Sequence, residues 1–106
     1  VKLLTASLVK ALQTNQTGKP LVKFFNPVGA ATWLVSELDE DGDTLFGLAD
    51  LGFGCPELGY ISLQELQGLR LPFGLGIERD IHFSTDLTIT EWADKARTAG
   101  SILQVA

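Results

Sequence analysis

Glu78, Asp80 and His82 stand at alternate positions in the segment Ile77 to Phe83, and alternation along an extended strand puts three side chains on one face. Two carboxylates and an imidazole so placed could hold a metal ion or work as acid and base. One strand does not by itself supply a closed ligand set, so the competing reading is a solvent-facing edge backed by the core. The backing face would carry Arg79, Ile81 and Phe83. An arginine among apolar side chains needs a carboxylate. Asp50 and Glu57 are the candidates, and a structural ion pair between Arg79 and Asp50 is expected.

Other chemistry-bearing residues are weaker. Asp39, Asp41 and Asp43 alternate as calcium-loop ligands do, but the sixth position is Thr44 where that loop requires glycine. An acidic turn is the expectation, with no calcium site. Cys55 and His82 could act as nucleophile and base only if the fold joined them, and a lone loop cysteine before proline is usually inert. Gly52-Phe53-Gly54 and Gly74-Leu75-Gly76 lack the glycine spacing and the following Lys-Ser/Thr of a phosphate loop. No cofactor is expected.

These residues sit in a chain of 106 residues, 45% apolar and 20% charged, which fits one packed domain over residues 1–106. One cysteine excludes an internal disulfide and a cysteine-based zinc cage. No apolar run is long enough to span a bilayer, no secretory leader is read, and the cytoplasm is the expected compartment. Net charge is −5, unevenly spread. Lys2, Lys10, Lys19 and Lys23 are the only charges before Glu37, whereas Glu37 to Glu65 holds eight carboxylates and no base. The acidic balance and the lack of arginine clusters among the aromatics argue against nucleic-acid binding. The acidic run could instead mimic nucleic-acid charge.

Positioning elements follow from periodicity and punctuation. Leu4, Leu8 and Leu12 lie on one helical face, with Thr5 or Ser7 to cap a helix over 5–13. Strands are expected at 21–25, 31–38, 45–51, 59–61 and 77–83, the second and third joined by the acidic turn as an antiparallel hairpin. Ser62-Leu63-Gln64-Glu65 and Thr88-Ile89-Thr90-Glu91 both read as capping boxes, the latter opening the longest helix. Leu71 to Gly76 should be an ordered apolar turn. The expected fold class is α+β: a largely antiparallel sheet of four to five strands packed with two to three helices.

Several segments together resemble a bacterial family of small proteins of unknown function, common on plasmids, phages and other mobile elements. They are Val22-Lys23-Phe24-Phe25, Ala31-Thr32-Trp33, Phe46 to Gly52, Pro56-Glu57-Leu58-Gly59-Tyr60, Glu78-Arg79-Asp80 with His82-Phe83, and Ala96 to Gly100. The resemblance implies a shared fold and a mobile-gene setting, with no assigned activity. Cys55 stands where that family would carry an aromatic or small residue.

The functional expectation is a non-enzymatic interaction module that docks a protein partner or a second copy of itself as a homodimer. Its surface would comprise Glu57, Tyr60, Phe73, Glu78, Asp80 and His82, with Leu71, Phe73 and Leu75 exposed beside Tyr60. The alternative is a small enzyme or metal-dependent factor using Glu78, Asp80 and His82.

Overall fold

A computed structural model describes residues 2–105. Its centre is one five-stranded sheet in the order β4-β3-β2-β1-β5, antiparallel at every junction. The strands are β1 (Val22–Phe25), β2 (Thr32–Leu38), β3 (Thr44–Asp50), β4 (Glu57–Ser62) and β5 (Glu78–Arg79). Consecutive hairpins lay down the first four. The chain then crosses the sheet to add β5 on the far side of β1. The α+β architecture and antiparallel sheet are as the sequence pattern leads one to expect.

Apolar residues in β2 run without alternation because both faces of the sheet are covered. Trp33 and Val35 point to one side with Phe24, Val22 and Leu45, where α1 (Ala6–Thr14) and α2 (Leu63–Gly68) pack through Leu12, Leu63 and Leu66. Leu34 and Leu48 point to the other, under Ile89, Ala93 and Ala96 of α3 (Ile89–Ala99) and the following Ile102. We call these the α1 face and the α3 face.

Each helix starts where a hydroxyl satisfies a free amide. The Leu8 amide donates to Thr5 Oγ1, and the Glu91 amide to Thr88 Oγ1. Glu91 returns the bond by accepting from the Thr88 amide, so the second capping box is complete. At α2 the Glu65 amide donates to Ser62 Oγ, but the Ser62 amide makes no return bond to the Glu65 carboxylate, so the expected first capping box is only half formed; the Ser62 hydroxyl donates to the Asp43 carboxylate.

Between Val35 and Glu37 the β2–β3 register slips by one residue, a bulge that brings the two backbones together. Gly47 permits it: a Cβ there would lie 2.0 Å from the Leu34 carbonyl oxygen. Ser36, the extra residue, is buried and its hydroxyl donates to the Phe46 carbonyl.

The fifth strand is shorter than the expected 77–83. Pairing with β1 covers Glu78 and Arg79, and the Asp80 amide donates to the Lys23 carbonyl. The Asp80 carboxylate then accepts the His82 amide, and the Phe83 amide turns back to the Asp80 carbonyl. A side chain that bonds its own backbone two residues on ends a strand in a turn.

Candidate functional site

β4 is the outermost strand on one side, six residues long, with β3 along one edge and α2 following it. Antiparallel pairing makes alternate residues bond across the ladder while those between point outward. The Leu63 amide donates to the Asp43 carbonyl. Continuing in register, Ile61, Gly59 and Glu57 direct their backbone groups to Leu45, Gly47 and Ala49. The N–H and C=O of Leu58 and Tyr60 therefore face away from the sheet. An edge of this length usually carries lysine, proline or a bulge to block a further strand. Glu57 to Ser62 has none of these, and its one charged residue is Glu57 at the start.

Tyr60 shares the α3 face with Phe46, its register partner, and is 77% exposed. The rings meet edge to face at 5.5 Å between centroids. They form the apolar wall of a cavity of about 430 Å³ completed by Glu37, Asp39 and Thr44. No lysine or arginine lines it. The site thus combines free backbone groups, an aromatic pair and two carboxylates.

The acidic turn below it is internally committed. Asp41 accepts the Asp43 and Thr44 amides and the Thr44 hydroxyl, and these bonds, led by that of the hydroxyl, hold its carboxyl below its ordinary value of 3.8. Asp43 accepts the Ser62 hydroxyl and the Gln64 amide. Among the described residues, no three His, Cys, Asp or Glu side chains converge as a metal would require.

The residues singled out from sequence do not form one surface. Glu57 and Tyr60 lie on β4, whereas Glu78 lies on β5 at the opposite edge, four strand spacings or about 19 Å away. Glu78, Asp80 and His82 do not share a strand face, because the chain turns at Asp80 and folds that carboxylate onto the His82 amide. Phe73 is 91% exposed at the tip of the turn after α2. That turn packs through Leu71 against the α1-face core, so Phe73 does not stand beside Tyr60 on the α3 face. Cys55, an exposed free thiol before β4, is likewise at the opposite sheet edge from His82.

The Arg79–Asp50 ion pair is absent. Arg79 is in register with Phe24 and so belongs to the α1 face, while Asp50 is in register with Thr32 and belongs to the other. Arg79 Nε donates to the Leu3 carbonyl at 3.0 Å. Asp50, 1% exposed, accepts the Gly52 amide through one oxygen and the Ile102 amide through the other. Glu57 offers no alternative partner, being at the far edge. The ion pair found among the described residues is the exposed Arg97–Asp94 contact at 3.7 Å.

A family model described as "Protein of unknown function (DUF2958)" matches residues 2–103. The chain belongs to this family. It is also 39% identical over 83 residues to a protein named dihydroorotate dehydrogenase (quinone) from Thiobacillus denitrificans. That match takes in 69% of this chain but spans 23% of the other protein's length, so the dehydrogenase activity is a statement about that protein. No solved structure matches. The outward backbone groups and the aromatic pair with its exposed Tyr60 make the β4 edge the best-built candidate surface, one that the sequence shows only indirectly. Sequence reasoning reads Glu37 and Asp39 as parts of the acidic run and turn and Phe46 as part of a family-like segment, but does not group them with Tyr60. The available signal was a strand-forming run, Glu57 to Ser62, with no edge-blocking residue.

Proposed function

We propose that this DUF2958 protein is a non-enzymatic docking module, used in the cytoplasm and carried on mobile genetic elements as the family resemblance suggests. The observation that supports the reading is the free β4 edge with Tyr60 exposed beside it. Unpaired strand edges bind other chains through main-chain hydrogen bonds, with neighbouring side-chain pockets supplying selectivity. The docking reading is favoured over the catalytic alternative because the chain turns at Asp80, whose carboxylate accepts the His82 amide, so Glu78, Asp80 and His82 do not line one strand face.

The test is photocrosslinking capture in the native bacterial host with a crosslinking amino acid at Glu57, comparing the otherwise unaltered chain with Tyr60→Pro. Proline at an outward-facing edge position removes a free donor and leaves the β3 ladder intact. A host protein captured by the first and lost with the second supports docking. Turnover of a substrate abolished by Asp80→Asn and indifferent to Tyr60→Pro would replace docking by catalysis.

Phe73 supports a homodimer as a second reading. An almost fully exposed phenylalanine in a strained turn invites burial against a second copy. Sedimentation equilibrium at micromolar concentration should then give twice the chain mass, reverting to the monomer with Phe73→Asp. A monomer in both cases rejects this reading.

A further inference from the structure

We infer that the occupant of the β4 edge is an extended segment of basic character, added as a sixth strand with an arginine or lysine opposite Tyr60. This rests on the docking reading and goes further by naming the chemistry of the partner.

The backbone geometry comes first. Leu58 and Tyr60 present outward N–H and C=O groups in the alternating pattern of an antiparallel ladder. A strand that pairs with both must set its own residues opposite them on the α3 face, with the residue between on the α1 face beside Gly59. A Cβ at Gly59 would meet nothing within 4 Å, so that intervening side chain has room.

Charge then selects the occupant. The side chain opposite Tyr60 reaches over the Phe46–Tyr60 pair toward Glu37 and Asp39. Ring faces attract cations, and a guanidinium adds planar stacking and paired donation to carboxylate. With no base among residues 37–65, the site has no cation of its own in that part of the sequence. The same charge disfavours a second copy here. Two β4 strands paired about a two-fold axis would bring two Glu37–Glu65 acidic runs together, and like charges across an interface are repulsive.

The experiment uses an immobilised array of six-residue peptides of alternating pattern, with Arg/Lys, Glu/Asp or Ser at the alternate positions and Val, Ile or Thr between. Three proteins are applied: the chain itself, Tyr60→Pro, and Glu37→Gln with Asp39→Asn. The expected result is retention on basic peptides at least about tenfold above acidic ones, weakened in 0.5 M salt. Retention should vanish with Tyr60→Pro, and the basic preference should disappear with Glu37→Gln/Asp39→Asn. Circular dichroism and a Tm within a few degrees of the unaltered chain show that the variants fold. On the peptide, amide exchange at Leu58 and Tyr60 should slow selectively. Equal retention of acidic and basic peptides, retention by Tyr60→Pro, or no retention by the folded chain overturns the inference. If host capture at the same edge still succeeds, docking stands and only the basic, extended occupant is rejected. Concentration-dependent dimerisation abolished by Tyr60→Pro overturns it in favour of a second copy.

Discussion

Asp50 and Arg79 satisfy their charges through the backbone, and that sets how much each contributes. Asp50 is buried and receives two amides, that of Ile102 itself buried. Asp50→Ala leaves both donors without an acceptor and should cost about 3 kcal/mol. Arg79 is half-buried and makes one backbone bond. Its loss should cost about 1–2 kcal/mol, less than the roughly 3–5 kcal/mol of a stranded buried charge. Urea denaturation of the two alanine variants checks the order, and an Arg79 effect as large as that of Asp50 rejects this account. Phe73 presents the opposite case. With φ 66° and ψ 23°, next to Gly74 at φ 71°, it occupies the first central position of a tight turn closed by the Leu75 amide donating to the Pro72 carbonyl. That backbone suits asparagine or glycine far better than phenylalanine. Phe73→Asn should therefore raise stability by about 0.5–1 kcal/mol, read from a denaturation midpoint. An unchanged or lowered midpoint would mean that the ring earns its place through contacts in the free chain.

Among the elements, those defined by short-range chemistry were legible in the sequence. Thr5, Ser62 and Thr88 cap helices where hydroxyl spacing suggested, and the acidic turn joins β2 to β3. Alternation of side-chain type carries the expected fifth strand past its end, because it does not reveal that the Asp80 carboxylate accepts the His82 amide. The Asp50–Arg79 pairing fails for a different reason: which face each residue occupies depends on three successive registers, through the two intervening strands β2 and β1. The candidate site was half legible. Tyr60 is on it and Glu57 only begins the same strand, whereas Glu37 and Asp39 reach it through the bulge that shifts β2 against β3. Two of the caps and turns also respond to acid. Bonds from the Thr88 amide and hydroxyl hold the Glu91 carboxyl below its ordinary 4.5, as bonds from Thr44 and Asp43 hold Asp41 below 3.8. A folded-state pKa below the unfolded value contributes stability that is fully present above the unfolded pKa and lost as pH falls through the folded one. The stability gap between the unaltered chain and Asp41→Asn/Glu91→Gln should accordingly be complete near about pH 6 and close in acid below the ordinary carboxylate range. A gap independent of pH between those limits would show that these bonds do not depend on the charges.

For the molecule as a whole, two-sided coverage of β2 explains why so small a chain needs no covalent staple. Each face has its own apolar layer, and the sheet is their shared wall. Among the described residues no helix is long and apolar enough to cross a membrane. Order in the sheet differs from order along the chain at one point only, where the segment after β4 crosses to the β1 side. That detour has a kinetic meaning. β1 to β4 pair with sequence neighbours, so their loops close at small entropic cost, whereas β5 must find Phe24 and Phe25 across more than fifty intervening residues. The four-strand meander should assemble first and β5 should be the last strand in and the first out. Native-state hydrogen exchange reads this directly: the Asp80 amide, bonded to Lys23, should open well below the global unfolding free energy, while the Leu48 amide opens only with it. Equal protection at the two would make the sheet a single cooperative unit. Release of β5 would bare the outward groups of Lys23 and Phe25, replacing a two-residue edge strand by a longer, transient one that carries Lys23.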